Sequence, residues 1–138
     1  MLKSAIVNAL LLLFLVSCKK ENITPYPSEV NSYVQSFIID ANTYNRKINL
    51  KRVKSIVLQG ESKEYPNYAG YYVDKTIYLD TTEGLYKHHL KFLMYHELGH
   101  ALLGRSDNDA TRTIMNGLPK DWYVKQDYYI KELFIPLL

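Results

Sequence analysis

The feature that most constrains this chain is a stretch that begins at Glu83 or Gly84 and runs to Leu103, in which two patterns of the same period lie on different faces. Leu90, Met94, Leu98 and Leu102 recur every four residues, the spacing of an apolar stripe along an α-helix. His96 and His100 repeat at the same interval and project to the opposite side. A helix that must bury one face and keep a polar pair on the other belongs at the centre of a domain.

The polar pair has a specific chemistry. Residues four apart stand nearly one above the other, so both imidazoles can reach a single metal ion at about 2.0–2.1 Å. Glu97 projects about 100° around the helix from His96, where a carboxylate serves as general base beside an ion without binding it. Water activated there attacks a carbonyl carbon, and the same carboxylate returns the proton to the leaving amine. Gly99, between the histidines, is expected to keep that surface open.

The remaining donors are few. Cys18 is the only cysteine, so neither a disulfide nor a thiolate site can form within the folded part. One zinc ion held by imidazole and carboxylate is the implied cofactor. His88 and His89 lie too far upstream on the same helix to share it and read as solvated or packing residues. The third ligand must come from downstream, either Asp107 in the loop after the helix or Glu132 in the last helix.

The other elements follow from pattern. Apolar residues at Val30, Tyr33, Val34, Phe37, Ile38, Ala41 and Tyr44 predict a helix over 28–44, capped by Ser28 with Pro27 outside it and packed on a sheet. Residues 53–58 read as a strand closed by Gln59-Gly60, and 68–73 and 76–80 as the arms of a hairpin turning at Asp74-Lys75. After Gly104 a polar loop runs to Arg112. A final helix follows Pro119, carries Trp122, Tyr123, Tyr129, Ile130, Leu133 and Phe134, and stops before Pro136. The fold class is α+β: helix, short mixed sheet, central helix, loop, helix.

Residues 1–17 are expected to stand apart from this domain as a signal peptide, with Lys3 ahead of a short apolar run. The run Leu15-Val16-Ser17-Cys18 resembles the lipobox of bacterial lipoproteins, which implies lipidation of Cys18 and attachment to a membrane of the cell envelope, with the outer membrane preferred. Residues 18–27 then form a polar, proline-punctuated tether, and 28–138 the domain. Net charge is +3, and the basic residues are scattered among 14 acidic ones, so a nucleic-acid partner is not expected. A monomer is expected. The 13 tyrosines suit half-buried strands as well as a substrate groove.

His96-Glu97-Leu98-Gly99-His100-Ala101-Leu102-Leu103-Gly104-Arg105-Ser106-Asp107 resembles the long zinc signature of the metzincin peptidases, H-E-x-x-H-x-x-G-x-x-H or D. Glycine and ligand each arrive one residue late, and Ser106 holds the strict third position. Read as one inserted helical residue, the resemblance implies Asp107 as third ligand, with Asp109 as fallback. Thr113-Ile114-Met115-Asn116-Gly117 looks like the Met-turn of that family, which implies that Met115 forms an apolar floor beneath the ion. The likeness spans residues 76–117 and extends to the small metzincin-like lipoproteins of bacteria. Glu132 would instead follow the gluzincin arrangement. The family implies an extended peptide or protein substrate along an edge strand, by position 76–79, and a specificity pocket walled by Leu118, Pro119, Trp122 or Tyr123. The activity implied is peptide-bond hydrolysis by an endopeptidase; the other class left open is a non-catalytic zinc lipoprotein that binds a peptide or surface partner.

Overall fold

A computed structural model describes residues 26–107, 109 and 113–135. The signal segment, Cys18, most of the tether and Pro136 lie outside the described residues. No described helix is long and apolar enough to cross a membrane.

Helix α1 (Ser28–Thr43) buries Val30, Val34, Phe37 and Ala41, one face at helical spacing. Its cap is Pro27, not Ser28. The Pro27 carbonyl accepts from the amides of Val30 and Asn31 at 3.1 and 3.0 Å. Proline fits there because its φ is preset and the first amides of a helix have no partner within it. The helix ends one residue before Tyr44, and Asn45 turns the chain with φ 54°.

A single 3-10 turn, Leu50–Arg52, delays the first strand, so that β1 spans Ser55–Gln59 and not 53–58. Strands β2 (Gly70–Val73) and β3 (Thr76–Asp80) form the expected hairpin. Asp74 and Lys75 both take positive φ, 49° and 63°, as a two-residue turn matched to strand twist requires. The sheet order is β1-β3-β2, with β1 and β3 parallel and β2 antiparallel to β3. Residues 76–79 are therefore central, not an edge. β3 is hydrogen-bonded on both sides, and the free edge next to the cleft belongs to β2.

Helix α2 (Gly84–Leu103) touches α1, β2, β3 and both later helices, α3 (Thr113–Asn116) and α4 (Trp122–Phe134). Of its expected stripe, Met94, Leu98 and Leu102 are buried and Leu90 is only half-buried. A break at His89 (φ −136°, ψ 37°) sets the first turns off from the rest.

Helix α1, expected on the sheet, packs mainly against α2. Phe37 meets the Tyr95 ring edge-on at 5.3 Å and the Phe134 ring at 5.0 Å, so three helices share one aromatic contact. The Tyr95 hydroxyl, on a fully buried ring, donates to Asp40 at 2.5 Å. Burial, and after it this bond, push the phenol well above its ordinary range. Tyr95→Phe removes the only polar tie between α1 and α2 among the described hydrogen bonds. A loss of about 1.5–3 kcal/mol is expected in urea unfolding, as for a hydrogen bond to a charged group.

Candidate metal centre and cleft

Both histidines stand on the open side of α2, with side chains 18% and 21% exposed. Their Nε2 atoms are 3.0 Å apart. Asp107 Oδ1 lies 3.1 Å from each of them. The opposite ring nitrogens are tied down: His96 Nδ1 donates to the Ile114 carbonyl at 2.9 Å, and His100 Nδ1 to the Arg105 carbonyl at 2.7 Å. A carbonyl has no proton to give, so each Nδ1 carries one, and each ring turns its Nε2 toward the carboxylate. Burial pulls His96 below the ordinary histidine range, which favours its own neutral form.

Bonds of about 2.0–2.1 Å to a tetrahedral ion set neighbouring donor atoms roughly 3.3 Å apart by simple trigonometry. The three observed spacings fall a few tenths of an ångström short of that, so the donor set fits a zinc ion in both chemistry and size. Among the described residues this is the one group of three or more such side chains able to hold a metal.

The chain reaches this geometry by a local reversal. Gly104 ends α2 with φ 65°, and its amide and that of Arg105 both donate to the Gly99 carbonyl. The Arg105 side chain then buries itself, donating through Nη2 to the carbonyls of Leu133 at 3.2 Å and Ile135 at 2.7 Å. Asp107 emerges two residues later beside the histidines.

The other candidates have different places. Glu132 accepts from the Thr113 hydroxyl at 3.0 Å and the Thr113 amide at 3.5 Å, meeting the unpaired donors at the start of α3. Asp109 is outside the group, and its carbonyl accepts from Asn116 Nδ2 at 2.7 Å. His88 and His89 are outside it too; the Tyr123 hydroxyl donates to the His88 carbonyl and lies 2.8 Å from His89 Nδ1.

Met115 is buried directly under Gly99: a Cβ added at that glycine would stand 2.8 Å from its sulfur. The expectation that Gly99 keeps the helix surface open is therefore corrected. The small residue admits Met115 and Leu133 from the later helices. The stretch 113–116 forms one helical turn before Gly117 leaves it with φ 131°.

Glu97 is 2% exposed, and its Oε2 has no hydrogen-bond partner among the described residues. Burial, and then the charge on Asp107, push its carboxyl up to about 8. Strand β2 comes flush against it at Gly70, where an added Cβ would stand 2.7 Å from Oε1. Beside it opens a cleft of about 580 Å³, walled on the strand side by Tyr68, Tyr71 and Tyr72 and on the helix side by His96, His100 and Asp107. A smaller cavity of about 180 Å³ adjoins it, sharing Tyr68, Gly70, His96 and Glu97 and lined further by Leu85, Phe92, Leu93 and Leu118. Of the expected pocket walls only Leu118 lines it. Trp122 is buried edge-on against Phe92, Tyr123 projects to the surface, and the Pro119 carbonyl accepts from the Trp122 amide.

Sequence reasoning did not find Arg105, Gly70 or the Ile114 carbonyl. A glycine inside the strand pattern, which marks a close backbone approach, was a visible signal for Gly70; a buried arginine and a carbonyl acceptor leave none.

No family model matches the sequence, and neither a curated protein nor a solved structure matches it.

Two outcomes follow from the packing around Glu97. Gly70→Ala is expected to cost about 1–3 kcal/mol in denaturant unfolding, because the methyl group must displace a buried carboxyl. The folded protein also holds the Glu97 proton more tightly than an unfolded carboxyl at 4.5, so its stability falls as pH rises from there to about 8. In chelator-treated samples Glu97→Gln is expected to be the more stable protein at pH 8, by a few kcal/mol on the order of the shift. That advantage disappears toward pH 4.5, as urea titrations across the range would read.

Proposed function

We propose that this chain is a zinc-dependent, metzincin-like peptidase that cuts an extended segment of a peptide or protein. The observation that carries the proposal is the convergence of three acceptors within 3.1 Å, with a buried carboxyl in the same cleft.

His96, His100 and Asp107 would hold the ion. When bound, zinc supplies Lewis acidity, polarising a carbonyl oxygen and lowering the pKa of water. Glu97 is the proton carrier: its carboxylate takes the proton from the attacking water and delivers it to the leaving amine. Burial suits both halves of that task, since a carboxyl removed from solvent is a stronger base and is shielded from bulk exchange.

The free edge of β2 offers main-chain partners to an extended substrate, and Gly70 lets a backbone approach Glu97 closely. The three cleft tyrosines supply flat apolar surface for side chains. The smaller cavity, walled by leucines and Phe92, suits an aliphatic side chain next to the scissile bond. The lipobox-like run adds attachment through Cys18 to a bacterial envelope membrane as a part of the proposal that rests on sequence alone.

The test is a paired assay of metal content and hydrolysis. Wild type is expected to carry one zinc per chain and to cleave members of a broad peptide library. Glu97→Gln should keep the zinc and lose cleavage by about 10²-fold or more. Asp107→Ala should lower zinc affinity at least about tenfold. A wild type that binds zinc yet cleaves nothing would replace this reading with that of a zinc lipoprotein that only holds a peptide, and one that takes up no zinc would remove both.

A further inference from the structure

The last turn of α4 meets the metal-site face of α2 along three separate paths. Arg105 Nη2 donates to the Leu133 and Ile135 carbonyls, and the Arg105 carbonyl accepts from His100 Nδ1–H. Glu132 holds Thr113 at the start of α3, and the carbonyl of the next residue, Ile114, accepts from His96 Nδ1–H. Leu133 packs against Gly99, with its Cδ1 3.3 Å from where a Cβ would stand. Residues 132–135 thus reach His100 through Arg105 and His96 through the consecutive pair Thr113 and Ile114.

The physical reason is that a histidine on a helix surface is free to rotate unless its second nitrogen is fixed. The two fixing acceptors here are main-chain carbonyls, one in the loop after α2 and one in the single turn of α3, and such carbonyls are only as well placed as the segments that carry them. Helix-terminal carbonyls lack partners of their own, so an arginine laid across the end of α4 is a strong tie. A carboxylate on the first donors of α3 is another.

We propose that Arg105 and Glu132 are positioning residues for the site: through the end of α4 they hold the two carbonyls that fix both imidazoles with Nε2 turned toward Asp107. The inference rests on the proposed metal site for its consequence, but the fixed tautomers are a property of the chain itself. A clamp of this kind makes α4 part of the site although none of its residues belongs to the donor set.

Long-range proton–nitrogen NMR on chelator-treated protein reads the tautomers, and competition with a chromogenic chelator reads zinc affinity. In wild type both rings are expected in the Nδ1–H form. Thr113→Val, which removes the hydroxyl that Glu132 accepts from and leaves the glutamate in place, should loosen His96 and lower zinc affinity about tenfold. Glu132→Ala should match it, and Glu132→Gln, which keeps an acceptor, should stay within about threefold of wild type. Arg105→Lys should loosen His100 with a similar loss. It is the milder change at a buried position, and the Thr113 and Glu132 variants carry the test if it fails to fold.

Unchanged tautomers and wild-type affinity in Thr113→Val and Arg105→Lys would overturn the proposal. A loss in Glu132→Ala that Thr113→Val does not share would overturn it as well and point to Glu132 as a direct ligand. Fixed tautomers in wild type that these variants release, in a protein that takes up no zinc, would sink the metal reading and leave the clamp standing.

Discussion

Two imidazole nitrogens and a carboxylate oxygen repel one another when held within 3.1 Å, unless a proton or a cation lies among them. Much of the surrounding structure acts to hold them there. The carbonyls of Ile114 and Arg105 deny the rings the option of turning Nδ1 inward. Gly104 returns the chain toward the helix it has just left, and the buried Arg105 fastens the returning loop to α4. A concentration of acceptors maintained by so many separate contacts is the arrangement in which a divalent ion is most strongly held, and that is the physical ground of the proposed function.

Helix α2 can carry this load because it is packed on nearly every side. Tyr95 and Phe37 lock it to α1, Gly99 lets Met115 and Leu133 approach from the later helices, and Gly70 brings β2 against Glu97. Two of those contacts occur at glycines, where any side chain would collide with the neighbouring element. The close approach of β2 also buries Glu97, which gives the carboxyl its raised proton affinity. Packing and proton affinity therefore share a cause: the same tight contact that consolidates the domain strips water from the Glu97 carboxyl.

Several elements could be read from residue order. The period of Met94, Leu98 and Leu102, the turn at Asp74-Lys75 and the helix-ending glycine at 104 are local signals, each arising from the conformation of a few consecutive residues. Where reading failed, the competing interaction was distant. Residues 76–79 looked like an edge because they precede the helix, yet β1 pairs with them in parallel and moves the edge to β2. Glu132 looked available as a ligand from its place on a helix, but Thr113, 19 positions away, occupies it. Leu90 belongs to the apolar stripe by period, yet it is only half-buried, one residue after the break in α2 at His89.

What the sequence determined by itself was the chemistry on offer: a helix presenting His96, Glu97 and His100 on one side, an α+β order of elements, and carboxylates as the only other donors once the single cysteine lies outside the domain. These follow from helical periodicity and from composition, which need no knowledge of neighbours. The tertiary structure decided which carboxylate meets the histidines, which strand borders the cleft and which carbonyls aim the rings. Several of those outcomes depend on hydrogen bonds between residues 18 to 30 positions apart, such as His96 with Ile114 and Arg105 with Ile135, although His100 meets Arg105 only five positions on. Contacts at that separation are set by how helices and loops pack together, and no pattern of consecutive residues encodes them.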